Sequence, residues 1–164
     1  MQQLVGLYIE DEEKNIILMQ GRFALKGIRI IGLGKFPQDL KNIYDYVIDN
    51  QVDFLIVDHE LEKAYVTYKG IDMLKEIRKH DSNIYAVLLT NLSTDTYRDE
   101  LGEYDFQLTK SELTSPKKFD ELTAKIKRAC MLRKDQDMLA SMDMQREQLE
   151  GLLKQLKDVV KKEP

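Results

Sequence analysis

Residues 53–61 read Asp-Phe-Leu-Ile-Val-Asp-His-Glu-Leu. Phe54 through Val57 are four apolar residues in a row, and a carboxylate, Asp58, follows at once. A run this short, bounded by polar residues, reads as a strand, Asp53–Val57, buried on both faces. The pattern recurs along the chain. Leu4–Ile9 is an apolar run followed by Glu10, Asp11, Glu12 and Glu13. Ile84–Leu89 is followed by Thr90, and Tyr104–Thr109 by Lys110. Ile28–Leu33 supplies a fifth apolar, β-branched run, second in chain order.

The intervening stretches carry helical spacing instead. Ile16, Ile17, Met19, Phe23 and Ala24 pattern a helix over Glu12–Leu25, and Gly27 stops it. Pro37 opens a second helix running to about Ile48, with Leu40, Ile43, Tyr44 and Val47 on one face. Ile71, Leu74 and Ile77 mark a third over Gly70–Arg78. A weaker, polar helix is expected over Ser93–Leu101, and Pro116 opens a last one through Phe119, Leu122 and Ile126. Strands and helices in strict alternation imply an α/β fold: a five-stranded parallel sheet with helices on both faces.

Ligands in such sheets bind at the carboxyl ends of the strands. Glu10, Asp11, Asp58, Thr90 and Lys110 all fall there, which brings carboxylates, a hydroxyl and an ammonium to one edge. Carboxylates sharing a small site repel each other, and a hard cation such as Mg²⁺ relieves the repulsion. A lysine can pair with an aspartate or with phosphate oxygens, and a threonine hydroxyl can donate to a phosphoryl oxygen. The set suits a phosphoryl group held on a carboxylate. Glu12 and Glu13 read instead as a solvated first helical turn favoured by the macrodipole.

Composition narrows the function further. The chain has 164 residues, 43% of them hydrophobic, with a net charge of −4 and no basic cluster. That argues against a dedicated nucleic-acid binder or an anionic-membrane patch. A single cysteine, Cys130, excludes an internal disulfide and a Cys-rich zinc site, and it reads as a buried or semi-buried helix residue rather than a nucleophile. The N-terminus lacks the basic stretch of a signal peptide, and no apolar run is long enough to span a bilayer, so a cytoplasmic protein is the expectation. A flavin or nucleotide binder is disfavoured, because acids rather than a Gly-rich phosphate loop follow the first strand.

Four stretches together, IEDEEKN at 9–15, DFLIVDHEL at 53–61, AVLLTN at 86–91 and FQLTKSE at 106–112, resemble the receiver domain of two-component response regulators. The resemblance covers about residues 4–130 and implies the flavodoxin-like receiver type of fold. It implies that Asp58 is the phosphoacceptor, fed by a histidine kinase or phosphotransfer protein. Asp11 then ligates Mg²⁺ directly, Glu10 acts through water, and the Glu60 backbone carbonyl is a further ligand. Thr90 matches the hydroxyl residue that closes on the phosphoryl group, and Lys110 the lysine that pairs with it. No enzymatic activity beyond self-assisted phosphoryl transfer is expected.

The chain also departs from the family pattern. Ser111 stands where a proline, often cis, usually follows the lysine, so the loop aiming Lys110 lacks its usual constraint. Gln107 occupies the place of the usual aromatic switch residue, with Phe106 one step off on the opposite face. The stretch from Asp58 to Gly70 is about four residues longer than in the family and carries Tyr65 and Tyr68 near the site. His59 is expected to be exposed in that loop, and His80 to sit at a helix end against the dipole. A phosphorylatable switch is one reading of the set, and a receiver-like adaptor that no longer switches is the other.

From residue 131 the pattern changes. Leu132, Asp135, Leu139, Met142, Arg146, Leu149, Leu153, Leu156 and Val160 follow 3-4 spacing, with Met131, Met138, Leu152 and Val159 widening the stripe. Such spacing over four heptads predicts a coiled coil, about 45 Å of helix at 1.5 Å per residue, that would pair two copies in parallel. Two domains are therefore expected, 1–130 and 131–164. No DNA-binding output domain is expected after residue 160.

Overall fold

The computed structural model describes residues 2–61, 64–91 and 102–162. Five strands form one parallel sheet in the order β2-β1-β3-β4-β5. In chain order they are β1 Val5–Ile9, β2 Arg29–Gly32, β3 Phe54–Asp58, β4 Tyr85–Thr90 and β5 Phe106–Thr109. The helices are α1 Glu13–Ala24, α2 Ile43–Asp49, α3 Gly70–His80, α4 Lys110–Leu113 and α5 Pro116–Lys162. The expected helix over Ser93–Leu101 lies outside the described residues.

The apolar strand runs follow from burial on both faces. Leu7, Ile9, Leu55, Val57, Ala86 and Leu88 pack with Ile43 and Val47 of α2 and Ile71, Leu74 and Ile77 of α3. Their neighbours in sequence, Tyr8, Phe54, Ile56, Val87 and Leu89, point the other way, onto Met19 and Phe23 of α1 and Phe119, Leu122 and Ile126 of α5. The two-residue period of a strand thus builds two cores from one sheet. Burying each large aliphatic or aromatic side chain contributes on the order of 1.5–3 kcal/mol.

Several boundaries differ from the sequence reading, each for a local reason. The second helix begins not at Pro37 but as a 3₁₀ turn at Leu40–Asn42, where the Asp39 carboxylate accepts from the Lys41 N–H. Asp53 stays out of β3, because its carboxylate accepts the Val5 N–H at 2.8 Å and its own N–H bonds the Val5 carbonyl. The fifth strand starts at Phe106 because the segment before it is tied down crosswise. Arg78 donates to the Gly102 and Ile84 carbonyls and pairs with Asp105 at 2.6 Å.

The chain divides into two compact units, Met1–Cys130 and Met131–Pro164. Within the first, α5 buries Phe119, Leu122, Thr123, Ile126 and Cys130. In the second, residues 131–162 are helical and no side chain is buried. No helix among the described residues is long and apolar enough to cross a membrane.

Candidate functional site

The parallel register sets the strand ends side by side. Ile9 lies opposite Val57, Asp58 opposite Leu89, and Thr90 opposite Thr109. Residues that follow these positions therefore converge. One carboxylate oxygen from each of Glu10, Asp11 and Asp58 falls within 4.8 Å of the others. Glu10, Asp58 and Thr90 are buried, and Asp11 is half-buried.

Asp58 is held from two sides. Its Oδ1 accepts the Glu60 N–H at 3.0 Å, and its Oδ2 lies 2.7 Å from Lys110 Nζ. The carboxylate is 1% exposed and the lysine side chain 35%, so a buried negative charge meets a cation that still reaches water. Burial pulls the Lys110 ammonium pKa down, but the hydrogen bond and charge of Asp58, with Glu10 and Asp11 behind it, outweigh this and raise it overall. Lysine therefore stays a full cation here.

Glu10 serves the backbone as well as the charge cluster. Its Oε1 accepts the N–H groups of Asp11 and Glu12, both at 3.0 Å, and its Oε2 accepts the Tyr8 hydroxyl at 3.1 Å. These bonds shape the turn that presents Asp11. Burial, then hydrogen bonding with Asp11, pushes the Glu10 carboxyl up to about 7, with the Glu12 N–H pulling the other way. Burial and the Glu10 charge hold the Tyr8 hydroxyl protonated, as a donor.

The sequence missed how Lys110 is aimed. The described residues contain no cis peptide, and Ser111 takes the place expected of a proline. Lys110 is instead the first residue of a capped helical turn, α4. Thr109 caps α4: its Oγ1 accepts the Glu112 N–H at 3.1 Å and donates to the Glu112 carboxylate at 3.2 Å, while Leu113 is buried beneath. The spacing Thr109-x-x-Glu112 is a capping signal visible in the sequence.

Other expectations need correction or placement. His59 is buried, 4% exposed, not an exposed loop residue. Its N–H donates to the Leu89 carbonyl, its carbonyl accepts from Gly70, and the start of α3 closes over it. Tyr68 turns to the Pro37 carbonyl and Tyr65 is 91% exposed. His80 ends α3 as expected, stacked on Tyr44 with centroids 4.9 Å apart, and Cys130 is buried. Phe106 packs in the core on the α5 side under Lys125, whereas Gln107 turns to Thr90.

No protein-family model matches the chain, and no curated protein matches it. Solved structures do. The Thermotoga maritima response regulator TrrA, solved in complex with Mg²⁺-BeF, is 24% identical, covers 77% of this chain and 99% of its own, and aligns with a TM-score of 0.57. A Francisella response regulator receiver domain is 23% identical, covers 80% of this chain and 99% of its own, and gives 0.61. The signal receiver domain of a Vibrio parahaemolyticus protein gives 0.63 at 17% identity, covering 84% and 98%. With its strand order, its acidic edge and these likenesses, the chain has the receiver fold of response regulators.

Proposed function

We propose that the protein is a phosphoacceptor signalling protein that receives a phosphoryl group on Asp58 from the phosphohistidine of a histidine kinase or phosphotransfer protein. The observation that carries this reading is a buried aspartate at the end of β3, paired with Lys110 at 2.7 Å, with two more carboxylates clustered beside it. A carboxylate oxygen of Asp58 bonds to phosphorus as the phosphorus–nitrogen bond of the donor breaks. The electron pair of that bond returns to the imidazole nitrogen, which takes a proton. Lys110 neutralises charge on the acceptor side, and the Thr90 hydroxyl donates to a phosphoryl oxygen. Positioning and neutralisation supply the chemistry, so the chain needs no catalytic turnover of its own.

The donor set also fits Mg²⁺, an ion that prefers hard oxygen ligands. Glu10, Asp11 and Asp58 would hold it with the Glu60 carbonyl. When bound, it neutralises charge on the transferring phosphoryl oxygens.

The output in this proposal is pairing of two tails. Leu132, Leu139, Met142, Leu149, Leu153 and Leu156 are each more than half exposed in a single chain, and a second copy would cover them. A soluble, cytoplasmic homodimer is the working form. Gln107 in the switch position supports a second reading, an adaptor that pairs without switching. Incubation with Mg²⁺ and acetyl phosphate, read by intact mass, separates the two. One added phosphoryl group, absent in Asp58→Asn, supports the first; none, with no beryllofluoride binding, supports the adaptor.

A further inference from the structure

Thr90 is fully buried at the end of β4, and the residue that reaches it from the neighbouring strand is Gln107. The pairing of Leu88 with Gln107 and of Thr90 with Thr109 sets Gln107 on β5 diagonally across from Thr90. The Gln107 Nε2 donates to Thr90 Oγ1 over 3.4 Å. The other end of the same amide is fixed independently, since Oε1 accepts the Tyr104 hydroxyl at 2.8 Å. With Oε1 on the tyrosine, the nitrogen faces Thr90. A threonine hydroxyl that accepts from an N–H directs its own hydrogen to another acceptor.

Tyr104 belongs to the segment before β5, which is itself clamped. Asp105 pairs with Arg78 at 2.6 Å and accepts the Ala86 N–H at 2.8 Å. Tyr104 also packs partly buried against the core on the α2–α3 side. The polar line from Thr90 through Gln107 to Tyr104 thus runs from the acidic edge to a rigid anchor. Gln107 and Tyr104 are half-buried, and a polar relay shielded from water is most stable when every member is satisfied; here the glutamine uses both ends of its amide.

We propose that Gln107 is a positioning residue. It holds the Thr90 hydroxyl so that its hydrogen faces the phosphoryl oxygen on Asp58, and it ties the state of Thr90 to Tyr104. The proposal rests on Asp58 being the phosphoacceptor. Gln107→Leu removes the Nε2 donor from Thr90. Gln107→Glu keeps the size but puts an acceptor against Thr90, which draws the hydrogen away from the site. Tyr104→Phe releases the far end only.

The test uses the full chain with Mg²⁺ and acetyl phosphate and measures the rate of Asp58 modification by intact mass. A hydrogen bond of ordinary net strength predicts a loss of about two- to tenfold for Gln107→Leu, a larger loss for Gln107→Glu and a smaller one for Tyr104→Phe. In a Thr90→Val background all three should change nothing further. A residue that merely fills space would rank Glu no worse than Leu and would act equally with Val at 90. Either result overturns the proposal. A second measurement stands apart from phosphorylation: melting temperatures of Thr90→Val, Gln107→Leu and the double variant without metal. If the double variant loses clearly less than the sum of the two singles, the pair is coupled. A simple sum overturns the relay. Unmodified wild type together with a coupled melting cycle would sink the phosphoacceptor reading and keep the Thr90–Gln107 contact.

Discussion

Gly70 shows how tightly the acidic edge is built, because an ideal Cβ there would lie 1.9 Å from the Asp58 carbonyl oxygen. Backbone cannot give way as a flexible side chain can, so Gly70→Ala forces α3 off the end of β3. A loss of about 1–3 kcal/mol is expected for overpacking of this kind. Thermal melting checks the prediction; an unchanged midpoint would mean that α3 is not seated as described. The charges at this edge predict a second effect. Should Mg²⁺ bind among Glu10, Asp11 and Asp58 as proposed, then at ten times its dissociation constant it stabilises the fold by about 1.4 kcal/mol. Asp11→Asn should abolish that gain, and a variant that still responds would place the cation elsewhere. Glu10, Asp58 and Thr90 were legible in the sequence because each stands next after an apolar run, and strand ends converge whatever the loops do. The burial of His59 was not legible. It depends on a helix start 11 residues later in the chain closing over it, and nothing local to His59 announces that. Tyr8 was missed for a similar reason: it reads as a strand residue, and only the fold shows its hydroxyl on Glu10.

Among the elements, α4 carries the strongest lesson. Four residues, Lys110–Leu113, are too few to show periodicity, yet the lysine that pairs with Asp58 stands at their head. The Thr109 cap holds the turn that Lys110 opens. Thr109→Ala should cost about 0.5–2 kcal/mol, the usual range for a lost cap, and should also slow modification of Asp58 if the lysine drifts. A variant that melts lower yet is modified at the wild-type rate would mean that the turn stabilises the fold without aiming Lys110. The strands and the longer helices were readable from spacing alone. The second helix was placed too early because Pro37 suits a helix start, while Asp39 offers a cap two residues later and wins. Gln107 was visible as a departure, but its bonds to Thr90 and Tyr104 depend on strand register, which no local pattern specifies.

For the whole molecule, two features have to be joined: an acidic strand-end cluster in the first unit and a helix in the second whose apolar stripe is exposed. Leaving Leu149, Leu153 and Leu156 in water forgoes about 1.5–3 kcal/mol for each large side chain that pairing would bury. Replacing Leu149 and Leu156 by polar residues should therefore give monomers in light scattering while the first unit keeps its melting transition. Wild-type monomers at tens of micromolar would instead mean that the helix folds back or awaits a different partner helix. Whether Asp58 accepts a phosphoryl group is decided by intact mass of the full chain after incubation with Mg²⁺ and acetyl phosphate. A single added phosphoryl group that is absent in Asp58→Asn is expected. An unmodified wild type, or a phosphoryl group that persists in Asp58→Asn, would contradict the proposal.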